Sequence, residues 1–223
     1  MIYFSYLLKL LFSPKKSFNS MPGARAKDGI EIAAMLFTLT QLFIISLYLL
    51  VGYVPSLTLL LQVIVAVVLA VLVFILTAYI SSYFVWLFGA RRDFHKTLAL
   101  MGHATILNFV QQISIALLAF VMGIVYYPFA ANSSITAAVR SGQNLQSFIF
   151  TAFLISIVFF IWQLWVNATA IKIANNSSFA KALLSYICTV IVMAFVVGLA
   201  SSIAIVIAFP KDYMLTTMRF TPF

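Results

Sequence analysis

Five long apolar stretches, divided by short polar ones, follow one another along the chain at residues 30–53, 56–88, 98–127, 146–172 and 183–209. Each exceeds the roughly 20 residues with which a helix crosses about 30 Å of hydrocarbon. A lone strand in lipid leaves its backbone polar groups without partners, and these stretches lack the apolar–polar alternation of a membrane barrel. The pattern therefore predicts an all-α, polytopic membrane protein: a five-transmembrane-helix bundle over residues 30–209, with a tail at 210–223. Ahead of it, Ile2, Phe4, Leu7, Leu8 and Leu11 alternate with polar positions so that Ser5 and Lys9, four apart, share the remaining face of a helix. Residues 1–29 thus read as a segment that opens with an amphipathic helix in the headgroup layer, with a helix buried in the bundle or against a partner as the alternative. Ser13-Pro14 makes a cap and first-turn pair for a second short helix, which Pro22-Gly23 ends. A signal peptide carries its positive charge first, whereas here Lys9, Lys15 and Lys16 come after most of the apolar run.

Composition narrows the possible functions. Hydrophobic residues fill 65% of the 223 positions and charged residues 8%, against about 25% charged in a soluble domain. A soluble enzyme, a disordered tail and a nucleic-acid binder are excluded on that ground, in spite of a net charge of +9. The placement of the charge says more than its sum. Lys9, Lys15, Lys16, Arg25 and Lys27 precede the first span, Arg91, Arg92 and Lys96 lie between the second and third, and Lys172 and Lys181 bound the fourth loop. The opposite side holds Arg140, Lys211 and Arg219. The positive-inside rule then expects a cell-membrane protein with its N-terminus in the cytoplasm and its C-terminus outside. The first eight of these cations form a candidate surface for anionic lipid. The single cysteine, Cys188, makes no internal disulfide, and no Cys/His spacing suits a metal, so neither metal nor cofactor is expected. The acids Asp28, Glu31, Asp93 and Asp212 sit at a span edge, in a loop or in the tail. Proton-coupled carriers place a carboxylate at depth, and intramembrane proteases need paired aspartates, a Ser/His dyad or a zinc motif. The expectation is a protein that is not an enzyme.

Uncharged polar residues are more organised. Counted from the cytoplasmic end, Gln41, Asn108 and Gln163 all lie about 15 Å deep, near the bilayer midplane, with His103 and Asn167 at a shallower level. Gln163 and Asn167, four apart, share one face of span four, and Gln111 and Gln112 lie further out. Their plainest use is bonding between helices; lining a path for a small solute is the alternative. Ala194, Gly198 and Ser202 repeat at four-residue spacing on span five, a pattern that lets helix backbones approach within the bundle or between copies. Asn132-Ser133-Ser134 in the outer loop has the pattern of a glycosylation acceptor.

Several segments resemble one known family. Leu11-Phe12-Ser13-Pro14-Lys15-Lys16-Ser17-Phe18 is similar to the short Pro-basic-x-Phe segment of the Yip domain family, the Ypt/Rab-interacting membrane proteins. Arg92-Asp93-Phe94-His95-Lys96-Thr97-Leu98-Ala99-Leu100-Met101-Gly102-His103-Ala104 resembles that family's start of span three, with His103 where tyrosine is usual. Ile161-Trp162-Gln163-Leu164-Trp165 and Ser178-Phe179-Ala180-Lys181-Ala182-Leu183 resemble its exit from span four and its opening of span five. The resemblance implies a five-helix domain with a cytoplasmic N-terminus. It also implies a place in membrane traffic through contact with prenylated Rab-type GTPases. The short N-terminal segment is closer to the bacterial and archaeal members.

Together these point to a non-enzymatic integral membrane protein of Yip type, an adaptor or accessory subunit that organises lipid or other membrane proteins, itself included. A small-solute transporter or channel built on the midplane layer, and a structural subunit of a larger membrane complex, are the alternatives. The topology is open to direct test. A single cysteine introduced at Ser134 or Thr221 is labelled by an impermeant reagent from outside intact cells, and one at Ser17 or Asn176 is not; outside labelling at Asn176 breaks the five-span arrangement.

Overall fold

A computed structural model describes residues 9–21, 25–50, 57–121 and 142–208, and every regular element among them is an α-helix. After a helical stretch at residues 9–12 come α1 (Pro14–Asn19), α2 (Ala26–Leu50) and α3 (Leu57–Leu87). Next are α4 (Phe94–Ala104), α5 (Ile106–Val121), α6 (Gly142–Asn175) and α7 (Phe179–Ala208). Five helical units are long and apolar enough to cross a membrane: α2, α3, α4 with α5, α6 and α7, hereafter spans one to five. The turns joining them at one end are short and capped. Gly89, at φ +75°, closes α3 while the Ala90 amide donates to the Val85 carbonyl across 3.2 Å. This is the left-handed ending that glycine adopts without a Cβ penalty. Asn176, at φ +49°, does the same for α6, with Ser177 N–H reaching Lys172 O at 3.1 Å. The Asp93 carboxylate caps α4 by accepting from the Lys96 amide at 2.9 Å.

Span three is the centre of the bundle. Residues 97–107 are buried without a break. In the most apolar window of each span, 28% of span three is buried against 6% of span four, so lipid covers most of the rest. The helix α4 packs against α2, α3 and α6, and its contact with α2 is made backbone to backbone. A Cβ on Gly29 would stand 2.5 Å from the Leu98 carbonyl oxygen and 2.7 Å from Ala99 Cα, and one on Gly102 would collide with the backbone of Gly29. Small residues at such a crossing let two helices approach to full van der Waals contact where there is no water to drive them together.

Where the sequence pattern predicts an unbroken third span, the structure has a break at Thr105. Its hydroxyl donates to Gly102 O at 2.6 Å and its amide turns to the same carbonyl, so α4 ends there and the helix restarts as α5. The described part of the N-terminal segment departs from the headgroup-layer reading and follows its alternative: Leu10, Leu11 and Phe18 are buried in the protein core, and α1 lies along α6. Phe12 meets the Trp162 ring at 6.3 Å and is otherwise exposed. Ile2, Phe4, Leu7 and Leu8 lie outside the described residues, as do the outer loop with Asn132 and Arg140 and the tail from 209 onward.

The glycine crossing makes a paired prediction. Gly102→Ala puts a methyl group into the Gly29 backbone and costs about 1–3 kcal/mol or more, read as a fall in the detergent-unfolding midpoint. Gly198→Ala has open space around its new Cβ and shifts stability by less than about 0.5 kcal/mol. Equal midpoints for the two variants contradict the crossing.

Candidate functional site

In hydrocarbon a polar side chain must find a partner within the protein, so the sites are located by asking which polar groups do and which do not. Most hydroxyls bond back to their own helix: Thr40 to Leu36 O, Ser114 to Val110 O and Thr169 to Trp165 O, each at 2.8 Å. Ser81 and Thr189, both fully buried, join span two to span five at 3.1 Å.

The expected midplane layer is divided by span three. Gln163 donates from Nε2 to Gln111 Oε1 at 2.7 Å, tying span four to α5. Asn167, one turn along, donates to Gln163 O at 3.0 Å and to the Tyr186 hydroxyl at 3.2 Å, which extends the chain of bonds to span five. His103, buried in α4, places Nδ1 2.8 Å from Ala99 O, and since a carbonyl only accepts, Nδ1 carries the proton. Gln41 and Asn108 face elsewhere. With Gln112 they line a cleft of about 420 Å³ whose walls include Thr40 and Ile44 of span one, Ala66 and Ala70 of span two, and Phe109 of α5. Span two packs on α4 and much less on α5, and the cleft lies between span two and α5 with span one as its back wall. None of the three amides has a hydrogen-bond partner among the described residues.

A second polar centre, at the capped end, went unforeseen. Asn175, fully buried, accepts from the Asp93 amide at 2.7 Å and donates to Thr97 Oγ1 and Ile171 O, both at 2.9 Å. Thr97 Oγ1 in turn donates to Asp93 O at 2.7 Å. This knot fixes the loop between spans two and three to the end of span four. A capping aspartate followed four residues later by threonine was the legible half of it; the partner, across 82 positions of sequence, was not.

Lys9, Lys15, Lys16, Arg25, Lys27, Arg91 and Arg92 are exposed and Lys96 is half-buried. Arg25 pairs with Asp28 at 3.6 Å and Lys27 with Glu31 at 3.5 Å, both at the surface, where such pairs add little. Arg92 stands over the Tyr79 ring, 4.8 Å from its centre. The small-residue stripe sits differently from the one that packs span five. Ala194 and Gly198 are exposed, and the side chain of Ser202 lies outside the described ones. The buried small face of span five is Ala182, Ser185 and Thr189, set against Ala78, Ser81 and Ser82 of span two. Among the described residues no group of three or more His, Cys, Asp or Glu is placed to hold a metal ion.

The family model of the Yip1 domain matches residues 8–201 of the chain. Neither the curated proteins nor the solved structures contain a match.

The Gln163–Gln111 pair can be measured by a double-mutant cycle. Gln163→Leu strands the Gln111 amide in an apolar setting and lowers stability by about 1 kcal/mol. Adding Gln111→Leu to it restores most of that loss in detergent unfolding; strictly additive losses mean that the two side chains do not bond.

Proposed function

We propose that this chain, which belongs to the Yip1 domain family, is a non-enzymatic membrane adaptor that gathers anionic lipid and membrane partners at its basic end. The observation that carries the reading is the exposure of Lys9, Lys15, Lys16, Arg91 and Arg92, with Arg91 and Arg92 in the turn that joins spans two and three at the capped end of the bundle. That end is held by the Asp93–Thr97–Asn175 knot and by Lys181 Nζ, 3.5 Å from Gly89 O. Each cation near an anionic leaflet adds about 1 kcal/mol of attraction, decaying over a Debye length. In the orientation given by the positive-inside rule this end faces the cytoplasm of the cell, the N-terminus lies inside, and the C-terminus outside. A cytosolic GTPase partner is supported by the family resemblance alone. A solute path through the midplane layer has weaker support, because Gln163 is turned to Gln111 and away from the cleft that holds Gln41 and Asn108. The open cleft gives better support to assembly with other membrane proteins.

Trp86, exposed at the end of span two, reports on the lipid beside the basic end once Trp162 and Trp165 are replaced by Phe. In vesicles, brominated phosphatidylserine quenches it more strongly than brominated phosphatidylcholine at the same mole fraction. Salt reduces the difference, and so does the triple variant Lys15→Gln, Lys16→Gln, Arg91→Gln. Equal quenching by the two lipids at low salt removes the lipid-gathering reading.

A further inference from the structure

Among the exposed cations, Arg92 is the one with a built setting. Its guanidinium lies 4.8 Å from the centre of the Tyr79 ring and 5.9 Å from that of Tyr83. The two rings stand one turn apart on an exposed stripe of span two, which Trp86 continues at 5.6 Å from Tyr83. Phe94 braces Tyr79 edge-on at 5.7 Å. A guanidinium seated over rings in this way has its planar fork pre-organised and loses little freedom when it bonds. Its charge is nevertheless unpaired. The neighbouring Asp93 carboxylate caps the Lys96 amide, and neither Arg92 nor the hydroxyls of Tyr79 and Tyr83 have a hydrogen-bond or ion-pair partner among the described residues.

Span two fixes the depth of this group. Its outer side is apolar from Leu57 onward, with Leu60, Leu61 and Ile64 exposed. Roughly 30 Å of hydrocarbon takes about 20 residues of helix, which from Leu57 reaches Thr77. Tyr79 and Tyr83 follow within about two turns, in the layer of lipid phosphates where Tyr and Trp collect. An ammonium headgroup finds no complement there. The aromatic faces that would receive it are already covered by Arg92, and Arg91 beside it is a like charge. A phosphate does find one: the free edge of the guanidinium offers paired N–H groups to two oxygens of the same anion, with two phenol O–H donors close by. We propose that Arg92, on its platform of Tyr79 and Tyr83, binds the phosphate of one anionic phospholipid that carries no ammonium, such as phosphatidylglycerol. The inference rests on the reading of the basic end as a surface for anionic lipid, and adds to it one seated lipid in place of diffuse attraction.

The test uses the full chain in vesicles with a reporter tryptophan at exposed Leu76, one turn below Tyr79 on the same stripe. Trp86, Trp162 and Trp165 are replaced by Phe, and Ile187→Trp, on the exposed side of span five about 12 Å from its capped end, is the control. Quenching by brominated phosphatidylglycerol and by brominated phosphatidylcholine at the same mole fraction is compared at low salt and at about 1 M sodium chloride, where the Debye length is about 3 Å. Diffuse attraction disappears at that salt, and a guanidinium–phosphate contact does not. Leu76→Trp then retains a preference for phosphatidylglycerol of roughly fivefold, and Ile187→Trp has none. Arg92→Gln abolishes the retained preference. So does Arg92→Lys, which keeps the charge and its low-salt effect but not the planar fork. The triple variant Lys15→Gln, Lys16→Gln, Arg91→Gln lowers the low-salt preference and leaves the retained one in place. A high-salt preference that survives either Arg92 variant, or is equal at the two reporters, overturns the proposal. So does one displaced by inorganic phosphate beyond the effect of chloride at equal ionic strength, which marks a site for the free anion. Should an Arg92 variant fail to fold, the two reporters at high salt decide with every binding residue in place. A preference confined to low salt overturns the seated lipid and leaves the broader reading of the basic end standing; no preference at any salt removes both.

Discussion

The contact between Gly29 and Gly102 is the constraint on which the arrangement rests. In lipid, helices gain nothing from leaving the solvent, and close packing must supply the attraction. With no Cβ on either side, α2 and α4 meet at their backbones, and that crossing sets α4 at the centre of the bundle. From there α4 touches α3 and α6 as well, and the unbroken buried run of residues 97–107 follows. A methyl group at either glycine would push apart two helices on which α3, α5 and α6 are packed, directly or through α4.

Thr105 turns this tight centre into an asymmetric molecule. Inward of it, short capped turns and the Asn175 knot lock the ends of four spans together. Outward of it, span two makes little contact with α5, and the cleft lined by Gln41, Asn108 and Gln112 lies between them.

The treatment of polar groups shows how strictly the hydrocarbon is respected. Most hydroxyls are spent on their own helix, and Gln111, Gln163, Asn167 and Tyr186 run in series through three spans. Against that background, three amides without a bond in one cleft stand out, since an amide in an apolar medium costs several kcal/mol.

The sequence alone determined the solvent, and with it the number and type of elements. Hydropathy over 20 residues is a property of each segment, needing no neighbour, so five helices were legible, as was the family through short local motifs. Rotation about each helix axis was not. Asn108 and Gln163 lie at one depth, yet Asn108 lines the cleft while Gln163 bonds Gln111, because each residue turns about 100° about its helix axis. For the same reason Ala182, Ser185 and Thr189, rather than Ala194 and Gly198, pack span five. Leu11 met protein where its pattern suited a membrane surface, because both are apolar and pattern does not tell them apart. Depth is written along one helix; facing depends on where the others stand, and only the packed bundle decided it.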